Sequence, residues 1–334
     1  MASVYREHHS GVLTYDCVVM KSTAQPSCPT LNPLCASVII PAFNNLSDLK
    51  ETLRGLSKQH LPVFEVVVVD NGSFPRLSLV DFESCGEVRL VTEEKPGSYA
   101  ARNRGAAESS GDFLLFLDAG CVPTPDWYES AVQAIASDAA CIWGGAVRVV
   151  VPDGASENVV CLYERLFSFP QERYIKESHF SVTANLFVAR ALFDSLGGFR
   201  EDLYSSGDLE FGTRARMEGV PVRFCGAAVV EHAARSSLQA LFSKQRRILG
   251  GQFILSRGSR RRELGYTTRA ILEAFFRPPL RRVANILGAV HDVPLGVWLR
   301  VKLSFWFSRC IIEAYLFEPD ICAVFLNFTR EHKR

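Results

Sequence analysis

The chain has 334 residues, of which 48% are hydrophobic and 22% charged, and this composition excludes an intrinsically disordered chain. The formal net charge of +1 is unevenly spread. Residues 1–234 carry 19 Lys and Arg against 29 Asp and Glu, whereas residues 235–334 carry 18 against 7. The basic last hundred residues favour an anionic partner, which could be a membrane surface, a phosphorylated substrate or the acidic first part of the chain.

Several other classes of protein are disfavoured by missing patterns. The basic charge comes without a nucleic-acid recognition motif, so we expect no nucleic-acid partner. The 10 cysteines show no C-x-x-C and no zinc-type spacing, which favours reduced thiols in the cytoplasm. We see no secretory signal in residues 1–36 and no run of 18 apolar residues. We therefore expect a cytoplasmic protein that could attach peripherally to the inner face of the membrane.

The first half of the chain alternates between strand and helix patterns. Residues 1–36 are polar and predict a loose leader. Buried strands are then predicted at SVIIP, FEVVVVD, VRLV and FLLFLD, with helical patterns at LSDLKETLRGL and in KPGSYAARNRGAAESSG. This alternation predicts an α/β fold with a mostly parallel, Rossmann-like sheet flanked by helices. A dinucleotide fold is disfavoured because no G-x-G-x-x-G follows the first strand, and the absence of a Walker A motif excludes a P-loop.

Two of these strands end on a carboxylate. Asp70 ends FEVVVVD, and Asp118 ends FLLFLD directly before Ala119 and Gly120. Ligands of open α/β sheets bind at the carboxyl ends of the strands, so either residue could be a ligand contact. Either could instead cap a turn, as Asp often does before Gly.

The pattern changes after residue 140. Strands are predicted at CIWGGAVRVVV, VTANLFVA and VPVRFCGAAVVEH, and helices at SENVVCLYERLFSF and SSGDLEFGTRARMEG. SLQALFSKQRRILGGQFIL is amphipathic and basic, and later segments interleave aromatic residues with Arg on predicted helices.

Six segments in this order resemble a family 2 glycosyltransferase, an inverting enzyme with the GT-A fold. They are SVIIPAFNN, VVVVDNGS, AARNRGAAESSGDF, FLDAG, NLFVARALFDSLGGF, and GDLEFGTRARMEG followed by VVEH. The resemblance implies a catalytic domain at 37–251, with a nucleotide-binding half at 37–120 and an acceptor-binding half at 121–235. It leaves residues 1–36 as the leader and residues 252–334 as a basic, aromatic, helical tail.

The resemblance also implies a donor site at the carboxyl edge of the sheet. The helix that Gly97 opens has free amides and a partial positive charge that suit a diphosphate. The residues implied to bind the donor nucleotide are Pro41, Ala42, Phe43, Asp70, Gly97, Arg102, Asn103 and Asp118.

The family carries an Asp-x-Asp motif that binds a divalent cation, Mn²⁺ or Mg²⁺. Asp118 matches its first carboxylate, but Gly120 replaces the second. The resemblance therefore implies an impaired or rearranged metal site, with Asp118 and His232 as its ligands. Basic side chains could offset the charge of the diphosphate, and the candidates are Lys244, Arg246 and Arg247. The alternative for each of these three is a solvated helix face.

An inverting transfer needs a general base for the acceptor hydroxyl. The resemblance assigns this role to Asp208, with Gly207 where many members have Glu. Asn185, Gly207 and Glu210 are expected on the acceptor side. The expected reaction moves a sugar from a nucleotide-sugar donor, most simply a UDP-sugar, to a hydroxyl of a glycan or lipid-linked acceptor.

Two other classes remain open at this point. A binding or scaffold protein that has lost catalysis is favoured only by Gly120. A sugar nucleotidyltransferase would usually show a Gly-rich loop with Lys or Arg after the first strand, and PAFNN lacks one. The tail leaves three roles open: binding to an anionic membrane surface, packing on the catalytic domain, or pairing with a second copy of the chain.

Overall fold

The order of strands and helices was obtained from a computed structural model of the chain, which describes residues 35–82, 87–151 and 158–258. The elements of the first half are β1 (Ala36–Ala42), α1 (Leu46–Leu56), β2 (Glu65–Asp70), a 3₁₀ turn (Leu79–Phe82), β3 (Arg89–Thr92), α2 (Ser98–Glu108), β4 (Phe113–Leu117), β5 (Cys121–Pro123) and α3 (Trp127–Ser137). Those of the second half are β6 (Ile142–Val150), α4 (Val159–Phe167), α5 (Gln171–Ser178), β7 (Asn185–Ala189), α6 (Arg190–Ser195), α7 (Gly207–Met217), β8 (Val222–Ala233) and α8 (Leu238–Gly258).

The strands of the described residues form one mixed sheet in the order β3-β2-β1-β4-β7-β6-β8-β5. The first four are all parallel, as the βαβ pattern predicts. β7 then pairs antiparallel with both β4 and β6, while β8 runs parallel to β6 and antiparallel to β5. The Rossmann-like half is thus the part of the sheet that carries the predicted donor edge.

Helices cover both faces of this sheet. Every residue of β4 is at most 1% exposed, as a continuous apolar run predicts for a strand buried on both sides. Along β1, Val38 and Ile40 pack with α1 and α3, whereas Ile39 packs with α2 and α7.

Helix α2 lies unusually close to β1. A Cβ at Gly105 would lie 2.4 Å from Cγ2 of Ile39, so only glycine allows this approach. Because α2 follows β3 in a parallel sheet, its first turn lies at the carboxyl edge of the strands. The close packing therefore fixes Tyr99 and Arg102 near that edge.

One helix of the second half was not predicted. The helix expected over SENVVCLYERLFSF is α4, which ends at Phe167, but a separate helix, α5, follows Pro170. The predicted end of the catalytic domain at residue 251 falls inside α8, which continues to Gly258.

The leader and most of the tail fall on residues 1–34 and 259–334, outside the described residues. Among the helices that the structure describes, none is long and apolar enough to cross a membrane.

Candidate functional site

Asp118 lies at the carboxyl edge of the sheet, immediately after β4. Its Oδ1 accepts a hydrogen bond from Nη2 of Arg102, and its side chain remains partly exposed. Arg102 itself is only 3% exposed and also donates from Nη1 to the carbonyl of Ser98 (3.2 Å). In this structure Arg102 therefore supports Asp118, and its expected contact with the nucleotide stays a prediction.

The chain of contacts continues from Arg102 to Asp208. The guanidinium carbon of Arg102 lies 5.5 Å from the ring centre of Tyr99. The Tyr99 hydroxyl lies 3.3 Å from Oδ1 of Asp208 and 3.2 Å from its backbone nitrogen. One helix, α2, thus contacts both the predicted donor-side carboxylate and the predicted base.

Burial raises the pKa of Asp208, and the negative charge of Asp118 raises it further. The Leu209 amide, Arg102 and Tyr99 oppose this by favouring the carboxylate. A raised pKa suits a residue that must take up a proton near neutral pH.

Gly207 begins α7 and faces the ring of Tyr99. A Cβ at this position would lie 2.7 Å from two ring carbons of Tyr99. A larger residue at this position would displace the ring.

Asp70 is 1% exposed and acts within its own turn. Its Oδ1 accepts from the Ser73 amide (2.9 Å) and its Oδ2 from the Leu77 amide (3.3 Å). The structure therefore shows the turn-capping role for Asp70.

Of the three residues expected beside Asp70, Pro41 is partly exposed, Ala42 is buried and Phe43 is 49% exposed, so Phe43 offers most surface at this edge.

Asn71 was not singled out from the sequence, although it shapes the same edge. Its Oδ1 accepts from the Gly97 amide (2.8 Å), and its Nδ2 donates to the carbonyls of Glu93 and Lys95. These bonds hold the loop that leads into α2, where Gly97 has a backbone φ of 134°.

Asn103 and Asn185 were expected to contact substrate, but both hold backbone segments together. Asn103 accepts from the Phe199 amide (2.9 Å) and donates to the Phe199 carbonyl (2.8 Å). Asn185 is 0% exposed; it donates to the Ala146 and Ala228 carbonyls and accepts from Nε1 of Trp127. The structure therefore puts Asn185 inside the sheet.

Glu210 lies in the first turn of α7 and forms an ion pair with Arg214, in which Nε of Arg214 is 2.8 Å from Oε1 of Glu210. Arg214 also donates to the carbonyls of Leu196 and Gly198. Glu210 thus anchors the turn before α7.

Gly120, which replaces the second carboxylate, lies against α1. It has a φ of 95° and donates its amide to Oγ1 of Thr52 (2.9 Å). A Cβ at Gly120 would lie 3.5 Å from Cβ of Asp48, an exposed acid of α1.

His232 ends its strand opposite Cys121 of β5. Burial and the nearby charge of Arg235 lower the pKa of His232, which favours the neutral imidazole. Within residues 35–82, 87–151 and 158–258, however, no group of three or more His, Cys, Asp and Glu is arranged to hold a metal ion. The donor atoms of this site do not by themselves complete a metal centre.

Of the basic residues expected near the diphosphate, Lys244 pairs with a buried acid. Glu164 of α4 is 0% exposed and accepts from Lys244 (2.9 Å), Arg235 (2.7 Å) and Ser168 (2.7 Å). Burial alone would raise the pKa of Glu164, but these partners together hold it at about 2. Lys244 is therefore paired with Glu164. Arg247 is exposed, and the side chain of Arg246 lies outside the described residues.

Fold and site together define a GT-A-type glycosyltransferase. The chain belongs to glycosyl transferase family 2, whose family model matches residues 37–196. It is 30% identical over 286 residues to the glycosyltransferase AglE of Haloferax volcanii, a match that covers 82% of this chain and 92% of that relative. It is 29% identical over 215 residues to the pre-mycofactocin glycosyltransferase of Mycobacterium tuberculosis, covering 61% of this chain and 43% of that relative.

Two solved structures share the fold. Mannosyltransferase PcManGT from Pyrobaculum calidifontis, in complex with GDP-Man and Mn²⁺, matches with a TM-score of 0.52 and 20% identity over 85% of each chain. GalNAc-T7 with UDP, GalNAc and Mn²⁺ matches with a TM-score of 0.50 and 22% identity, over 68% of this chain and 48% of that one. The predicted family, fold and enzyme class are confirmed: this is a glycosyltransferase, and the nucleotidyltransferase alternative is set aside.

Proposed function

We propose that this enzyme inverts the anomeric centre of a UDP-sugar donor and transfers the sugar to a hydroxyl of a glycan or lipid-linked acceptor, with Asp208 as the general base. The observation that carries the proposal is the position of Asp208. It is a partly buried carboxylate at the start of α7, and α2 connects it to the donor-side Asp118.

The proposed step balances in atoms and charge. Asp208 takes the proton of the acceptor hydroxyl as the oxygen attacks the anomeric carbon. The bond between that carbon and the diphosphate oxygen breaks on the opposite face, and its electron pair leaves with the nucleoside diphosphate. The products are an inverted glycoside, a nucleoside diphosphate and a protonated Asp208.

The donor is proposed to lie along the carboxyl edge from Phe43 to Asp118. The first N–H groups of α2 have no partners within the helix and carry partial positive charge, which suits a diphosphate. Lys244 and Arg235 share the single negative charge of Glu164, so this cluster contributes one net positive charge. We keep Arg246 and Arg247 as further candidates for the diphosphate.

A divalent cation remains a prediction, since the residues described here do not complete its site. Calorimetric titration of UDP, GDP and dTDP, each with Mn²⁺ and again with EDTA, tests the nucleotide and the metal together. Binding that needs Mn²⁺ would support Asp118 as a ligand. Binding of GDP or dTDP alone would contradict the UDP assignment, and binding of none would favour the scaffold alternative.

Asp208→Asn tests the base directly. The amide keeps the size of the side chain but cannot accept the proton, so we expect transfer to fall at least about 100-fold, as for loss of a general base. Donor affinity should change little. Asp202→Asn is the matched control, because Asp202 is an exposed acid paired with Arg200. Full activity in Asp208→Asn would overturn the assignment.

We propose further that the basic tail, residues 252–334, binds either an anionic membrane surface or a second copy of the chain. Co-sedimentation with anionic liposomes at low salt tests the first, and light scattering tests the second. A protein that stays monomeric and fails to pellet would contradict both.

A further inference from the structure

The Tyr99 hydroxyl forms two contacts with a single residue, Asp208. It accepts from the backbone N–H of Asp208 (3.2 Å) and lies within donating distance of its Oδ1 (3.3 Å). Backbone and side chain of the proposed base are therefore held by the same oxygen atom, which belongs to a different helix.

The contact with the backbone satisfies the first turn of α7. Ser206 precedes this helix with a left-handed backbone (φ 62°) and provides no side-chain cap. Its hydroxyl is directed to the Ile248 carbonyl instead (3.4 Å). The free N–H groups at a helix start need partners, and Tyr99 supplies one from α2.

The Tyr99 ring has little freedom to move. It packs against Phe199 with ring centres 5.6 Å apart, and the guanidinium of Arg102 lies beside its face. Gly207 leaves just enough room for the ring, since a Cβ there would lie 2.7 Å from it. A side chain fixed on all sides can orient a neighbour precisely.

The two oxygens of Asp208 are consequently different. Oδ1 accepts from the Leu209 amide (2.9 Å) and also from Tyr99. No hydrogen bond to Oδ2 is found among the residues that the structure describes. Oδ2 is thus the oxygen left for a substrate proton.

We propose that Tyr99 is a positioning residue that fixes Asp208 through Oδ1 and so presents Oδ2 to the acceptor hydroxyl. This inference rests on the proposed function, in which Asp208 is the base. It assigns the proton to one atom and explains why Gly207 and Tyr99 occur together.

Among the described residues, the charged or titratable groups that act on Asp208 come from three elements. Tyr99 and Arg102 belong to α2, Asp118 follows β4, and Tyr174 belongs to α5. Tyr99 and Arg102 favour the charged carboxylate, while Asp118 disfavours it. Removal of the Tyr99 hydroxyl should therefore raise the pKa of Asp208 and shift the acid limb of the pH–rate profile upward.

Tyr99→Phe tests the proposal by steady-state kinetics across pH. We expect kcat to fall about 10-fold, the donor KM to stay within about twofold, and the acid limb to move up by about half a pH unit. Tyr128→Phe is the matched control, because its buried hydroxyl donates to the Ala36 carbonyl in the sheet core. It should change stability without moving the pH profile.

Gly207→Ala provides a second route if Tyr99→Phe folds poorly. Its methyl group would push the Tyr99 ring away from Asp208 while leaving the hydroxyl in the chain, so the same loss of kcat is expected. Wild-type kcat and pH profile in both variants would overturn the role of Tyr99. If Asp208→Asn is inactive in the same assay, only this inference fails; if it is active, the proposed base fails instead.

Discussion

Replacing Glu164 by Gln removes a buried negative charge and leaves Lys244 and Arg235 without their shared partner. Burial alone would raise the pKa of Glu164, but Lys244, Ser168 and Arg235 lower it from 4.5 to about 2. At about 1.4 kcal/mol for each pH unit, this difference corresponds to about 3 kcal/mol of stability. Loss of one partner from a buried ion pair costs about 3–5 kcal/mol, which agrees. We therefore expect Glu164→Gln to lower Tm by about 6–12 °C.

The pH dependence gives a sharper test. Because the pKa of Glu164 is lower in the folded state, its stabilisation is complete above about pH 4.5 and disappears as the pH falls toward 2. Urea unfolding should show a difference of about 3 kcal/mol between the wild type and Glu164→Gln at pH 7, and less than half of that at pH 3. A difference that is absent at pH 7, or equal at both pH values, would refute this reasoning.

Two variants serve as controls for this experiment. Glu172→Gln removes an exposed acid that pairs with Lys176 on α5, and it should cost less than about 0.5 kcal/mol. Adding Lys244→Met to Glu164→Gln removes one unpaired cation, so the double variant should recover part of the lost stability.

Three further substitutions test the supporting residues. Arg102→Met leaves Asp118 without its partner, and calorimetry should show donor nucleotide affinity falling by about 10-fold, or about 1.4 kcal/mol; unchanged affinity would argue against the pairing. Asn185→Leu leaves two buried carbonyls and the Trp127 N–H without hydrogen-bond partners. Urea unfolding should therefore show a loss of about 2–4 kcal/mol of stability. A changed acceptor KM without a loss of stability would instead support a contact between Asn185 and the acceptor. In Asp70→Asn, one of the two oxygens that accept from backbone amides is replaced by an NH₂ group, which cannot accept. The same unfolding assay should show a loss of about 1–2 kcal/mol of stability with little effect on donor affinity. A large loss of donor affinity without a loss of stability would make Asp70 a ligand contact.

The parallel half of the sheet could be predicted because its strands carry a strong local signal. The runs VVVV and FLLFL are apolar without interruption, and each is followed by an Asp that begins a turn. The same local signal does not predict the neighbours of β7. VTANLFVA also reads as a buried strand, but nothing local states that it lies antiparallel between β4 and β6. Strand neighbours that are distant in sequence depend on packing of the whole sheet.

The site was predictable only where a motif fixes a position. Asp118 and Asp208 were located by their segments, and the structure connects both to α2. The contacts of Asn103 and Asn185 with distant backbone could not be predicted, because a buried amide that holds a distant backbone has the same sequence signal as one that faces a ligand. Tyr99 was missed because its contact with Asp208 depends on how closely α2 approaches α7.

Helix α2 contacts both Asp118, the proposed donor-side carboxylate, and Asp208, the proposed base. Arg102 pairs with Asp118, and Tyr99, within one turn of Arg102 near the start of α2, holds Asp208. Asp118 and Arg102 act on the pKa of Asp208 with opposite signs, so any ligand that changes the charge at Asp118 also changes how readily Asp208 takes up a proton. In this geometry the state of the donor site influences the proposed base through fixed charges, without any movement of the backbone. Arg102→Met should therefore affect donor binding and proton transfer together, whereas Tyr99→Phe and Asp208→Asn should change proton transfer with little effect on donor binding.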